Sequence, residues 1–429
     1  MMQNMLNKLL VLFACLIFIG VADAAKASNK SAKPKQIVKT PAVDKIKSLI
    51  PKARIETTAE YVLLADYHSG QVLYEKNADA KLYPASLTKI VTAMIAFDAL
   101  ENGRVRPETK FHISEAAWRL GGSKMFIEVD SYVSFINLVR GCVVQSGNDA
   151  SLAIAEGLSG TEEGFVKEMN QASRKLGAKS SNFVNSHGLP HKNHYTTARD
   201  LWLISKHVIG SKYYSMFKED SFTFSKIKQR NRNPLLGTGV GCDGLKTGHT
   251  KESGYSLVAS AEKNGQRLVL VISGCDSAKA REKESLKFIK WGFNSFGHYH
   301  LLMKGDLVIS APVWMGDKDI VPVVIGADVA VVLPRSQRKK MKVIAHYNRF
   351  TRAPIKQGQK IGYLEVIAPS LPKNLKYPLL AGTNIKAAGF LKRLKTSVYQ
   401  LTVGKLEDMV DELEDTMQIE KLAKQMPAK

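Results

Sequence analysis

Residues 9–21 form an apolar run behind Lys8, closed by Ala22-Asp23-Ala24. A positive start, an apolar stretch and a small-x-small end predict a cleaved secretory signal over residues 1–24. The run is shorter than the roughly 20 residues a spanning helix needs. Leu12-Phe13-Ala14-Cys15 makes a poor lipoprotein signal, because Phe13 is bulky and six apolar residues follow the cysteine. Residues 25–54 are polar, with nine Lys or Arg against Asp44 alone and prolines at 34, 41 and 51. They read as a basic linker, either a solvated tether or one drawn to anionic surfaces.

Beyond residue 55 the texture is that of a folded domain. Residues 61–66 and 71–74 are apolar segments around His68-Ser69-Gly70, which predicts a β-hairpin. Residues 86–100 read as a helix whose nearly continuous apolar body implies burial. Helical patterns recur near 131–157, 161–176 and 197–209, strands at 255–261 and 267–273, and a helix at about 281–296. Strands flanking a helical centre imply an antiparallel sheet with helices packed on it, hence an α+β domain over 55–298. Strand candidates follow at 320–324, 329–333, 341–346 and 360–366, and predict a small all-β domain over 299–384. From 385 the pattern turns helical, with Leu391, Leu394, Val398 and Leu401 at spacings of three and four beside Lys392, Arg393 and Lys395. A basic amphipathic stretch over 386–404 suits an anionic membrane surface. Residues 405–429 carry four Lys against seven Asp or Glu, which suits a solvated or self-associating end of the helical tail.

Composition narrows the partners. The chain has 429 residues, enough for two or three domains. At 45% hydrophobic and 24% charged residues, wholly disordered and collagen-like classes are excluded. The net charge of +23 favours an anionic partner, and export turns that expectation from nucleic acid towards the cell envelope. Loss of the signal removes Cys15 and leaves Cys142, Cys242 and Cys275, an odd number read as small buried residues.

Three short patterns carry the candidate chemistry. Ser86-Leu87-Thr88-Lys89 is S-x-x-K, Ser146-Gly147-Asn148 is S-x-N, and Lys246-Thr247-Gly248 is K-T-G. S-x-x-K occurs six times and S-x-N twice, so context separates them. Ser86 follows Tyr83-Pro84-Ala85 at the start of the buried helix, one turn before Lys89 on the same face. A serine is a poor nucleophile until a base takes its proton, and Lys89 serves only if burial or a nearby cation such as Lys246 lowers its pKa. Ser146 can relay a proton, Asn148 can hold Lys89 and a substrate amide, and Lys246 with Thr247 can bind a carboxylate. Gly248 leaves room for substrate backbone along a strand. The trio predicts acyl transfer through a serine ester. No metal-ligand cluster, cofactor motif or P-loop is present, and His187, His191 and His194 lie around a loop rather than at ligand spacing.

These blocks resemble the serine D-Ala-D-Ala carboxypeptidases, the low-molecular-mass penicillin-binding proteins of peptidase family S11. So do residues 144–150, 185–189, 243–250 and 291–293. The resemblance implies Ser86 as acylated nucleophile, Lys89 as general base, and Ser146 and Asn148 in the proton network. It implies Lys246, Thr247 and Gly248 along the substrate, the N–H groups of Ser86 and His249 as oxyanion hole, and Arg281 on the terminal carboxylate. His187 and Asp200 are expected to organise a loop. Peptidoglycan stem peptides and β-lactams are the implied partners. The implied place is the periplasm or cell envelope, peripheral on the outer face of the inner membrane. Two departures stand out. Val129-Asp130 replaces the family's Pro-Gly turn, and the tail lacks a Trp/Phe-rich end. Alternatives are a D,D-endopeptidase, against which the extra β-domain argues, a β-lactamase, whose E-x-x-L-N block is missing, and a non-catalytic wall scaffold.

Overall fold

The computed structural model describes residues 55–394 apart from 349–350, 372 and 392–393. The signal, the whole linker and the tail beyond Leu394 lie outside the described residues. In the first domain the strands are β1 (Tyr61–Asp66), β2 (Val72–Lys76), β3 (Lys110–His112), β4 (Tyr132–Ser134), β5 (Ser221–Phe224), β6 (Ile227–Arg230), β7 (Cys242–Thr250), β8 (Gly254–Lys263) and β9 (Gln266–Cys275). The helices are α1 (Lys89–Glu101), α2 (Glu115–Arg119), α3 (Phe135–Arg140), α4 (Asn148–Ser159), α5 (Glu162–Lys175), α6 (Ala198–Ile209) and α7 (Ala278–Ser295).

The main sheet is antiparallel in the order β2-β1-β9-β8-β7. Side chains alternate across it and feed two cores. Leu63, Ala65, Val258, Val269 and Val271 face α1, α4 and α6. Val62, Leu64, Leu257, Leu268, Leu270 and Ile272 face Phe288 and Ile289 of α7. Both faces are covered, which is why these strands read as unbroken apolar runs rather than as alternation. Helix α1 is buried almost all round because it sits between the sheet and the other helices.

The helical reading over 131–157 is corrected at its start, where residues 132–134 are strand β4, and the rest is three pieces. Helix α3 gives way to a π turn (Gly141–Gln145), and α4 begins only at Asn148. Between them Ser146 adopts φ +70, a left-handed conformation that a non-glycine residue seldom takes. The predicted helix 86–100 likewise opens with a tight 3-10 turn (Ala85–Thr88) before α1. Strand β7 and the β3–β4 and β5–β6 hairpins had no clear period in the sequence.

Helix α7 runs without a loop into β10 (Phe296–Leu302). The β-region continues as β11 (Leu307–Trp314), β12 (Ile320–Ile325), β13 (Val329–Pro334), β14 (Lys342–Tyr347), β15 (Thr351–Arg352), β16 (Lys360–Ile367) and β17 (Leu375–Ala381). Its six-stranded sheet is ordered β14-β16-β17-β12-β11-β15, with β10 and β13 pairing separately. Val321, Val323, Val331, Leu364, Val366 and Leu379 fill a core of its own. The helical reading from 385 is corrected at its start. Ile385 bridges Ile355 and is buried in that core, Ala387 bridges Gly316, and helical residues begin only at Phe390. Among the described residues, no helix is long and apolar enough to cross a membrane.

Leu270 is fully buried on the central strand β9, against α7. Leu270→Ala is expected to destabilise the first domain by about 2–5 kcal/mol, through lost burial and the cavity left behind. Guanidinium unfolding would measure it, and a loss under about 1 kcal/mol would show that the packing collapses around the site.

Candidate active site

The backbone enters the site through a strained turn. Ala85 has φ +48, and Thr88 Oγ1 donates to the Ala85 carbonyl at 2.8 Å. His194 Nδ1 accepts from Val184 N at 3.2 Å, so its Nε2–H donates to Thr88 Oγ1 at 2.8 Å. Burial, with His191 and Lys89 nearby, pushes His194 down to about 4, which suits this neutral tautomer. Neither the 3-10 turn nor α1 uses a side-chain N-cap. Capping, the ordinary task of a serine at a helix start, therefore does not occupy Ser86.

Lys89 is buried and its Nζ meets three oxygens. Ser86 Oγ lies at 3.2 Å, Asn148 Oδ1 at 2.7 Å and the His187 carbonyl at 2.5 Å. Burial is the largest influence on its pKa and lowers it to about 8, with Arg232 lowering it further and Cys142 and Asp149 opposing. Arg232 is thus a cation that depresses Lys89. Lys246 is pushed well below the usual lysine range by burial first, then by Lys89, Arg232 and Arg281.

Asn148 is held on both sides. Its Nδ2 donates to the Gly121 carbonyl at 2.7 Å and its backbone N to the Ser123 carbonyl at 2.7 Å. Ser146 is buried in the left-handed turn just before it. Asp149, which sequence reasoning left without a role, accepts from Met125 N at 2.8 Å and Phe126 N at 3.0 Å. It fastens the 121–128 loop to the start of α4. At the end of that loop Asp130 adopts φ +58 and its N–H donates to Ile113 O at 2.9 Å. The aspartate therefore makes the left-handed turn that the Val129-Asp130 departure had put in question.

Strand β7 brings the third motif alongside. Lys246 pairs with Val258, Gly248 with Ser256 and His249 with Tyr255. Lys246 Nζ donates to the Thr247 carbonyl at 3.1 Å. Thr247 is buried, while the exposed His249 ring stacks on Tyr255 with centroids 3.8 Å apart. A Cβ on Gly248 would stand 2.7 Å from Ser256 Oγ and 3.0 Å from the Pro84 carbonyl. The small residue is thus required by β8 and by the turn that carries Ser86, a nearer constraint than clearance for substrate. Arg281, in the first turns of α7, lies 5.9 Å from the Tyr255 ring centre, and its Nε is buried without a partner.

Arg232 was missed by the sequence reading, and no spacing signal marks it. It is exposed beyond β6 and donates to Ser123 Oγ at 2.7 Å. With Lys89, Lys246 and Arg281 it makes a cluster of four basic groups, in which Arg232 lowers both lysines. His187 and Asp200 organise loops, as expected. The His187 carbonyl, not its ring, meets Lys89. Asp200 Oδ2 accepts from Ser180 N at 2.8 Å and Ser181 Oγ at 2.7 Å. Cys142, Cys242 and Cys275 are free thiols. Burial raises all three, the last two to about 11, which makes them poor nucleophiles. Among the described residues, no three His, Cys, Asp or Glu side chains are grouped to hold a metal ion. A cavity of about 270 Å³ adjoins the turn, lined by Tyr83, Ala85, Leu189, Pro190 and Thr250 among others.

The D-alanyl-D-alanine carboxypeptidase family matches residues 47–277, and the C-terminal domain of penicillin-binding protein 5 matches residues 296–387. The chain is 39% identical to the D-alanyl-D-alanine carboxypeptidase DacA of Haemophilus influenzae over 317 residues, covering 72% of this chain and 80% of that one. Among solved structures it is similar to penicillin binding protein 5 from Haemophilus influenzae, with TM-score 0.70, 37% identity and coverage of 77% and 98%. It is also similar to ampicillin-bound penicillin-binding protein D2 from Listeria monocytogenes, with TM-score 0.52, 30% identity and coverage of 56% and 98%.

Gly188 has φ +88, and a Cβ there would stand 1.9 Å from the Ala85 carbonyl. Gly188→Ala is expected to displace the turn that carries Ser86 and to slow its acylation by a fluorescent penicillin roughly 10²-fold. Labelling at the wild-type rate would show that the Asn185–Leu189 loop and the turn are not coupled.

Proposed function

The chain belongs to the D-alanyl-D-alanine carboxypeptidase family of peptidases, and from that premise we propose how its own residues carry the reaction. It is a serine-type hydrolase that removes the terminal D-Ala from peptidoglycan stem peptides and binds penicillin covalently. We assign the chemistry to the domain over 55–298, with Ser86 as nucleophile and Lys89 as base. The observation that carries this is the contact of a buried, depressed Lys89 ammonium with Ser86 Oγ at 3.2 Å.

Neutral Lys89 takes the Ser86 hydroxyl proton as Oγ bonds to the carbonyl carbon of the penultimate D-Ala. The oxyanion forms between the backbone N–H groups of Ser86 and His249. Collapse breaks the C–N bond. The proton on Lys89 passes through Ser146 Oγ to the departing amine, and D-Ala leaves. Water then attacks the ester, loses its proton to Lys89, and Ser86 recovers that proton as the shortened peptide is released. Asn148 holds Lys89 in line through its Oδ1. Lys246, Thr247 and Arg281 receive the terminal carboxylate, and Gly248 keeps β7 close to the nucleophile turn. The four-cation cluster supports that assignment, because a substrate carboxylate supplies a counter-charge the site lacks. In a β-lactam the amine stays tethered after ring opening, so the acyl-enzyme persists.

We further assign residues 1–24 to an export signal and place the enzyme in the periplasm, with the part of the 386–404 stretch from Phe390 onward resting on the outer face of the inner membrane. The exposed Phe390, Leu391 and Leu394 support that contact. The all-β domain over 299–384 stands between the catalytic domain and this tail in sequence.

Three outcomes are expected. Ser86→Ala abolishes both D-Ala release from a D-Ala-D-Ala pentapeptide and covalent penicillin labelling. Labelling without D-Ala release in the wild type would instead point to crosslinked peptides as substrate, or to a scaffold. Second, Lys89 is protonated below about 8 and acts as base only when neutral. Acylation should therefore rise roughly tenfold from pH 7 to pH 9. Arg232→Gln removes a cation that disfavours the ammonium, so the rising limb should move to higher pH, and a limb that stays put would sink the assignment of Lys89. Third, the full-length protein should sediment with anionic liposomes and a chain ending at Gly382 should not. Equal sedimentation would refute the membrane contact.

A further inference from the structure

A second cation-rich cavity lies where the two domains meet, far from the nucleophile. Its volume is about 420 Å³. The β8–β9 turn supplies Lys263, Asn264 and Gln266, the end of α7 supplies Asn294, and the β-domain supplies His298 and Arg335. Tyr255, beside the motif residue His249, is eight positions back along β8, which puts the cavity roughly 26 Å from that end of the strand.

The lining is built for a negative group. None of the lining residues is acidic, and two are cations. Gln266 is 5% exposed and its Nε2 has no hydrogen-bond partner. His298 Nε2 is likewise buried and unpartnered. A buried polar atom without a partner is unfavourable unless something completes it; the Gln266 amide nitrogen is a donor of this kind, and both residues line the same cavity. Arg335 spends one N–H on the Phe293 carbonyl at 3.2 Å, which orients its guanidinium across the domain boundary. The 3-10 turn Arg335–Lys340 continues the positive field through Arg338, Lys339 and Lys340, with Arg338 over the Tyr299 ring at 5.3 Å. Guanidinium and amide N–H groups converging in one pocket match the oxygens of a phosphate or carboxylate.

We propose that this junction is an oxyanion-binding site, taking a phosphate or carboxylate group and joining the catalytic and β-domains through it. A ligand held by Lys263 and Gln266 on one side and by Arg335 and His298 on the other ties the domains together and stabilises the folded chain by mass action.

The test uses the whole protein saturated with penicillin, so that the catalytic cations are blocked. Melting temperature and calorimetric binding are measured with inorganic phosphate and, separately, with glutarate, against chloride at equal ionic strength. The expected result is a saturable rise in melting temperature with at least one of the two anions. It should be lost in Arg335→Ala, an exposed substitution, and weakened at least tenfold in Gln266→Leu. Penicillin labelling at the wild-type level shows that each variant is folded. A response to phosphate alone assigns a phosphoryl group, a response to glutarate alone assigns a carboxylate, and a response to both assigns oxyanions generally. No response beyond chloride, or one that Arg335→Ala retains, overturns the site.

Discussion

Lys89 is buried with three oxygen partners, none of them a carboxylate, and the surrounding structure is arranged to tolerate that burial. An ammonium in such a place is costly when charged, so its proton is held loosely and its free base is within reach near neutral pH. The groups around it follow from this requirement. Asn148 must present its oxygen and not its nitrogen, so its amide N–H is committed to Gly121. The His187 carbonyl must point inward, so the loop is tied by Ser186 to Glu162 at 2.8 Å and by Gly188 to Asn185 at 2.7 Å. The left-handed turn at Ser146 and the π turn before it bring α4 to the right height.

The same electrostatics reach the substrate end. Lys246 lies buried in the field of Lys89, Arg232 and Arg281, all of which make it harder to charge. Under the assignment proposed above, a carboxylate arriving beside these groups makes them easier to charge. The substrate terminus and the base would thereby be coupled through charge rather than through movement.

Much of this was legible in the sequence because the motif blocks carry backbone demands as well as chemistry. Ser86 and Lys89 one turn apart, and Lys246-Thr247-Gly248 before a hairpin, announce themselves. Two-faced burial blurred the strand period, so the main strands appeared as apolar runs, and β7 was hidden by its Gly, Lys and Thr. Arg232 was invisible, since it comes from a polar segment and meets the site only through Ser123. Asp149 was quoted within a motif, yet its grip on three residues of the 121–128 loop depends on long-range contacts that no local pattern reveals. The junction cavity is likewise a product of tertiary packing, drawn from a turn, a helix end and two β-domain segments.

Helix α7 carries Arg281 near its beginning and flows straight into β10 at its end. With no flexible connector, the helix works as a shaft about 27 Å long. Its sheet-facing side is clamped by Leu268 and Leu270, so it has little freedom to rotate. A pull or twist on the β-domain would therefore be delivered along the shaft to the end that holds Arg281. The arginine proposed above for the substrate carboxylate and the footing of the β-domain share one rigid part.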